Sequence, residues 1–417
     1  MRKTKIICTI GPQTESFEQM TRLADAGMDV ARLNMSHGTY KWHEEVIRAI
    51  KRINKTRRHP IAILLDTKGS EVRTGDLRQE IAIKPGEEFI FTIRREAKYA
   101  PNCTEVSYDG FINDVKIGDE LLVDGGLLSF EVKKKTATDA ICMCIEGGKL
   151  TSRRHLNIKG KTTTLPSLSK KDWKDIDFGL SHSLDFIALS FVKDAKAISE
   201  VKKYVEKHEG HADVIAKIEN AAAIDKLNEI ISASDGVMVA RGDLGSELPV
   251  EEVPILQERI VQLAGKYRKP VIIATHLLES MITNPTPTRA EVTDIAQAVR
   301  ESADCIMLSG ETATGNYPIK AVSIMNTVAT RIEEHMMQTS SVRNGSSSTD
   351  PKEEIVHSAA MMANNLHAVA LIAVTRRGQT AIRLSQRRPH SPIYAITNMS
   401  STRRKLNLYW GIQGFKI

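Results

Sequence analysis

The sequence lacks any uninterrupted apolar stretch of the length a bilayer requires, which excludes a helical membrane span. Cysteine is scarce: Cys8, Cys103, Cys142, Cys144 and Cys305 in 417 residues. An odd, scattered set argues against a disulfide scaffold and fits free thiols in a reducing compartment. Cys142 and Cys144 flank Met143 in an alternating run, so both sulfurs face one side of an expected strand. With no two further ligands evident nearby, they read as small buried hydrophobes rather than a metal site. Aromatics are sparse, at 5%. The basic runs at Arg57-Arg58, 133–135 and 403–405 have none interleaved, which argues against nucleic-acid binding. Neither sign of charge dominates: 58 Lys+Arg against 51 Asp+Glu leave a net +7, which favours anionic ligands. A strand-like run starts almost at once, at Lys5, leaving no room for a signal or transit segment, so a cytoplasmic location is expected.

What the sequence does contain is a rhythm. Its length predicts two or three domains. Residues 5–10, 30–33 and 61–65 read as strands, with helices between them. From 73 to 154 the pattern changes to short alternating strands with turn signals at Lys84-Pro85-Gly86, Asp124-Gly125-Gly126 and Gly147-Gly148, which predict a small β-barrel insertion. Strands then return at 186–191, 214–216, 237–240, 270–274 and 305–308. Thr288 and Glu291 form a capping box that opens the helix before the last of these. Eight strands, each followed by a helix or (after the third) by the insertion, predict a (β/α)8 TIM barrel over residues 1–72 and 157–337, with a lid domain at 73–156. Residues 340–351 read as a Ser-rich linker, and Asp350-Pro351 as the start of a helix. Strands at 370–375 and 393–397 around a helix at 380–386 predict a short C-terminal α/β domain, 352–417, apparently truncated.

The stretch 213–249 carries the chemistry. Its first apolar run stops at Lys217 and Glu219, its second at Arg241, Gly242 and Asp243. Ile224, Leu227, Ile230 and Ile231 between them share one helix face. Strands joined by such a crossover are parallel neighbours, so their carboxyl ends bring Lys217, Glu219 and Asp243 to one rim. Two carboxylates and a lysine there suit Mg²⁺ and an anionic substrate. A set of rim salt bridges to Lys217 or Arg241 is the plainer alternative.

Six motifs resemble pyruvate kinase signatures, in that family's order and spacing: ARLNMSHG (31–38), LDTKGSEVRTG (65–75), AKIEN (216–220), MVARGDLGSELP (238–249), ATHLLESMITNPTPTRAEVTDIAQAV (274–299) and IMLSGETATGNYP (306–318). The resemblance implies the same barrel, lid and C-terminal domain. It implies transfer of the phosphoryl group of phosphoenolpyruvate to ADP, giving pyruvate and ATP, the last step of glycolysis. Lys217 matches the family's catalytic lysine. Arg32, Lys217, Gly242 (through its N–H), Asp243 and Thr275 match substrate-binding positions, and Asn34, His37, Arg73 and Arg154 nucleotide-binding ones. Glu219 and Asp243 match ligands of Mg²⁺ or Mn²⁺, and Asn34, Ser36, Asp66 and Thr67 the K⁺ cage. Glu71 stands where K⁺-requiring members carry an acid, so K⁺ dependence is expected.

The chain departs from the family pattern in places. At 154–160 it reads Arg154-His155-Leu156-Asn157-Ile158-Lys159-Gly160, where members typically have Lys-Gly-x-Asn-Leu-Pro-Gly. Arg154 keeps a phosphate-binding charge, while loss of the glycine and proline predicts a stiffer hinge. Asp124-Gly125-Gly126 lacks a second acid of the lid, and His276 replaces the usual Gln or Asn. These features resemble the branch that includes plastid isoforms. Residues 375–380 correspond to a sugar-phosphate effector loop, and the family implies a homo-oligomer, a tetramer that uses the C-terminal domain. Two other readings are a Mg²⁺-dependent barrel lyase or aldolase, which needs no lid, and a truncated, non-catalytic or poorly regulated homologue.

Overall fold

A computed structural model of the chain describes residues 2–95, 101–161, 163–339 and 350–417; most of the expected Ser-rich linker, residues 340–349, lies outside them. Strands β1 (Lys5–Thr9), β2 (Val30–Asn34) and β3 (Ala62–Asp66) open the chain. The lid follows: β4 (Ile81–Ile83), β5 (Glu88–Thr92), β6 (Cys103–Glu105), β7 (Glu120–Val123), β8 (Leu128–Lys135), β9 (Asp139–Glu146), β10 (Gly148–Leu150) and β11 (Leu156–Ile158). Next come β12 (Phe186–Leu189), β13 (Asp213–Ile218), β14 (Gly236–Ala240), β15 (Val271–Ala274) and β16 (Cys305–Leu308). Strands β1–β3 and β12–β16 close into one barrel, each beside its neighbour in the chain once the lid is set aside. Every barrel pairing is parallel, including β13 with β14.

Alternation along these strands sorts side chains into two cores. Ile6, Cys8, Ala31, Leu33, Ile63, Leu65, Val214, Ala216, Val237 and Val239 face outward into the layer of helices. Ile7, Val30, Ala62, Leu64, Phe186, Ala188, Ile215, Met238, Ile272 and Cys305 fill the barrel. A period of two is all this sorting needs. The same register carries inward-facing positions on to Thr9, Arg32, Asp66, Ser190 and Lys217, so the upper end of the interior is polar.

Caps delimit several helices. Thr288 and Glu291 make the expected capping box on helix Arg289–Arg300, and Asp350 caps helix Pro351–Asn365. Helix Lys170–Ser181, which sequence reasoning did not locate, has its own capping box from Ser169 and Asp172. The crossover between β13 and β14 is two short helices, Ala221–Asp225 and Leu227–Ala233, that meet at Lys226. Leu227, Ile230 and Ile231 are buried as the spacing implies, whereas Ile224 is half-buried.

The insertion is a curled six-stranded sheet in the order β11-β7-β8-β9-β5-β6, with the pair β10-β4 beside it. Phe89, Phe91 and Phe130 centre its core, with ring centroids 5.1–5.5 Å apart. Cys142 and Cys144 are buried in that core. The C-terminal domain is a parallel sheet of β17 (Leu371–Val374), β18 (Ile393–Thr397) and β19 (Ile412–Lys416). It caps the amino ends of the barrel strands. Leu408 enters the barrel's interior cluster, and its carbonyl accepts from Cys305 Sγ at 3.2 Å. Lys5 Nζ donates to the Ile412 carbonyl at 2.6 Å. No helix among the described residues is long and apolar enough to cross a membrane.

Candidate active site

At the carboxyl ends of β2, β3, β12 and β13 the inward register delivers a buried charge cluster. Lys217 Nζ lies 3.2 Å from both Asp66 Oδ1 and Glu219 Oε2, and donates to Ser190 Oγ at 2.6 Å. Arg32 Nε donates to Asp66 Oδ2 at 2.7 Å, and its second arm to Thr9 Oγ1 at 2.9 Å. Burial works against the Lys217 ammonium, but Asp66, Glu219 and Asp243 outweigh it and hold its pKa above the ordinary lysine value. Burial would likewise raise Asp66, yet Lys217 and Arg32 pull it below the usual carboxylate range.

Glu219 has the opposite balance. Burial pushes it up to about 7; Lys217 opposes the shift and Asp243 adds to it. Its Oε1 accepts the Phe191 N–H at 2.5 Å. Its Oε2 is buried and accepts no hydrogen bond, although Lys217 Nζ is near. An orphaned carboxylate oxygen beside a second acid is the donor chemistry a hard divalent cation takes. Asp243 sits in the first turn of helix Arg241–Glu247, and its charge reaches Lys217, Glu219 and His155. Among the described residues, no group of three or more His, Cys, Asp or Glu could hold a metal by itself. A cation at Glu219 and Asp243 would draw its other ligands from substrate and water.

The remaining expected residues form an arc around this cluster. Asn34 lies opposite Asp66 in the β2–β3 register, and Thr67 follows Asp66. Asn34 Oδ1 accepts the Ser36 N–H at 3.1 Å, and Thr67 Oγ1 accepts the Ser190 N–H at 3.1 Å. Ser36 and His37 are exposed. Arg73 is held by both oxygens of Glu71, at 2.6 and 2.9 Å, and donates to the Arg153 carbonyl at 2.7 Å. Arg154 reaches Asp124 Oδ1 at 3.3 Å inside the lid. Thr275 and His276 both have left-handed backbone, φ 69° and 57°, a strained pair at the end of β15. Gly242, whose N–H matches a substrate-contacting position, donates it here to Thr275 Oγ1 at 2.9 Å. Arg241, the alternative partner for the rim acids, turns instead to Asp294 at 2.6 Å.

Sequence reasoning missed three residues here. Ser190 was legible, because it continues the inward register of Phe186 and Ala188. Phe191 has φ 54° and supplies its N–H to Glu219, a role of the backbone that no side-chain motif signals. His155 was noted as a departure, but its ring packs on Phe191 with centroids 5.6 Å apart. Burial holds it below the ordinary imidazole range, while Glu71 and Asp243 pull the other way.

Known proteins resemble the chain in sequence and in fold. The family model for the pyruvate kinase barrel domain matches residues 1–322, and that for the pyruvate kinase alpha/beta domain matches 353–417. Plastidial pyruvate kinase 2 of Arabidopsis thaliana is 52% identical over 99% of this chain and 71% of its own length. The chloroplastic pyruvate kinase isozyme G of Nicotiana tabacum is 51% identical over 99% of this chain and 73% of its own. A pyruvate kinase structure from Cryptosporidium parvum superposes with a TM-score of 0.92 at 36% identity, covering 100% of this chain and 87% of that one. The plant relatives overturn the expected cytoplasmic location, since they are plastid enzymes and point to a plastid. The five cysteines are buried and unpaired, which does not distinguish the two compartments. Matched in both domains and along nearly its whole length, the chain belongs to the pyruvate kinase family.

Proposed function

We propose that the polar mouth of the barrel is where this pyruvate kinase moves the phosphoryl group of phosphoenolpyruvate to ADP, with Lys217 as the catalytic residue. The observation that carries this is Lys217 itself: a buried cation wedged between Asp66 and Glu219 at the centre of the rim. Its raised pKa keeps it charged, so it serves as a fixed cation for the transferring phosphoryl group and the enolate oxygen. Arg32 presents a planar guanidinium to the phosphoryl group from the next arc of the rim. Thr275 and Gly242 satisfy each other in the resting site, and substrate takes over that bond.

Glu219 and Asp243 would hold Mg²⁺ or Mn²⁺; bound there, the ion supplies Lewis-acid stabilisation of developing negative charge. Asn34, Ser36, Asp66 and Thr67 would hold K⁺ with hard oxygen donors, its charge helping to offset the phosphates. Asn34, His37, Arg73 and Arg154 would meet the nucleotide along the cleft between lid and barrel. The lid and the anchored Arg73 speak against a lyase, which needs neither. A homo-oligomer is the assembly the family favours.

The test is ADP-dependent pyruvate formation from phosphoenolpyruvate with Mg²⁺ and K⁺, beside a Lys217→Met control. Turnover by the unaltered chain and its collapse in the control are expected; retained turnover in the control removes Lys217 from its role. Activity should also fall when K⁺ and Na⁺ are both omitted. Full turnover in that buffer refutes the K⁺ cage.

A further inference from the structure

The lid joins the barrel through two crossing segments. Leu156 N–H donates to the Val72 carbonyl at 2.9 Å, Thr74 N–H to the Arg154 carbonyl at 2.8 Å, and Arg73 and His155 face each other across this antiparallel bridge. The His155 carbonyl also accepts the Asp124 N–H at 3.0 Å, so the turn containing Gly125 and Gly126 hangs from the same residue. The side chain of His155 leaves this hinge for the barrel rim, where its ring lies on Phe191.

Phe191 is held in an uncommon state. Its φ of 54° is unfavourable for a residue with a bulky side chain, so its surroundings must impose it. Gly69 contributes: a β-carbon there would stand 2.7 Å from the Phe191 ring and 2.7 Å from Ser190 Cβ, so only glycine lets the two chains close up. The Phe191 N–H, aimed by that conformation, binds Glu219 Oε1 and leaves Oε2 with no hydrogen bond, facing the Lys217 ammonium at 3.2 Å. Hinge, ring, backbone donor and carboxylate thus form one continuous chain of contacts.

We propose that His155 is a positioning residue, which presses Phe191 into the conformation that orients Glu219 and so couples the lid hinge to the metal-binding carboxylate. The proposal rests on the reading of Glu219 as a metal ligand. Partners that orient a ligand directly typically contribute 10- to 100-fold to metal affinity; Phe191 is that partner here, and His155, one contact further out, acts at the lower end of the range.

The experiment measures Mn²⁺ binding to the resting, full-length chain by electron paramagnetic resonance, with steady-state kinetics and thermal melting alongside. His155→Ala should weaken Mn²⁺ binding about tenfold and raise the apparent KM for Mn²⁺, while kcat at saturating metal changes less than about twofold. His155→Phe, which restores a ring against Phe191, should recover affinity to within about twofold. Phe191→Ala should match His155→Ala, and the double variant should lose no more than either alone. If His155→Ala does not fold, His155→Gln keeps the bulk without the ring and takes its place. Glu219→Gln is the control. If it leaves Mn²⁺ affinity unchanged, the metal reading falls and the proposal with it. If it loses Mn²⁺ while His155→Ala binds normally, the proposal alone is overturned, as it is by fully additive losses in the double variant or by failure of His155→Phe to recover.

Discussion

The two mouths of the barrel are built from the same residue types to opposite ends. At the amino-terminal mouth, an aspartate stands at the start of alternate strands and binds the backbone of the strand before it. Asp29 accepts the Ile6 N–H at 2.8 Å; Asp185, Asp235 and Asp304 accept those of Ile63, Val214 and Val271 at 3.0 Å each. Each also has a cation: Arg2, Arg404, Lys202 and Arg388 respectively. Two of those cations, Arg404 and Arg388, come from the C-terminal domain. Each of these four aspartates is answered twice, and the strands are stapled in pairs. At the carboxyl-terminal mouth, Lys217 is shared by two acids, Glu219 Oε2 faces it without a hydrogen bond, and Phe191, Thr275 and His276 sit in strained backbone. At the amino-terminal mouth each of these acids ties one strand to the next, whereas at the carboxyl-terminal mouth the acids converge on a single lysine. Volume does not tell them apart. A groove of about 880 Å³ opens at the amino-terminal mouth, where Asp213 and Asp235 are paired with Lys405 and Lys202.

The contrast can be broken by substitution. Lys217→Met should cost turnover about 10²–10³-fold, the scale for losing a preorganised electrostatic contact, with the protein still folded by circular dichroism. Asp304→Ala at the other mouth should do the reverse. It orphans the Val271 N–H and leaves Arg388 without its acid, so stability should fall by roughly 2–4 kcal/mol in urea titration, with kcat per folded molecule unchanged. A turnover loss from Asp304→Ala as large as from Lys217→Met would erase the distinction.

A subtler case is Glu247, on the rim helix, where burial pushes the carboxyl up to about 7, Asp243 adds to the shift, and the Ala221 N–H opposes it. A carboxyl with a higher pKa folded than unfolded binds its proton more tightly in the fold. Its penalty is absent below the unfolded value of about 4.5, grows as pH rises to about 7, and is constant above. Glu247→Gln keeps an acceptor for Ala221 without the charge. It should stabilise the protein by about 2 kcal/mol at pH 8 and leave it unchanged near pH 4.5, read as shifts in the melting curve. A shift of equal size at both pH values would contradict the assignment to charge burial. The smallest effect belongs to Arg153→Ala: its pair with Asp76 is exposed on both sides, so the melting curve should not shift measurably.

Most of the architecture was legible in the strand–helix rhythm. A period-two pattern that ends in Lys217, or in Asp66, must place that residue at the barrel's polar end. Capping signals such as Thr288 with Glu291 and Asp350 with Pro351 transmit their positions locally, which is why they held. What stayed hidden were contacts between segments distant in sequence. The aspartates at the amino-terminal mouth look like ordinary turn residues until the neighbouring strand's N–H is seen. The helix Lys170–Ser181 was lost in the change of rhythm after the lid, and β19 came after the recognisable α/β unit had ended.

The sequence by itself determined the barrel, its lid, the family, and which residues crowd the rim, because alternation and local capping are properties of contiguous residues. The tertiary structure alone decided the state of each group there: Lys217 shared by two acids, Glu219 with one oxygen hydrogen-bonded and the other held only by the Lys217 charge, Gly242 bonded to Thr275, and His155 laid against Phe191. Those states depend on burial and on partners up to a hundred or more residues away, and no spacing along the chain encodes a distance through space.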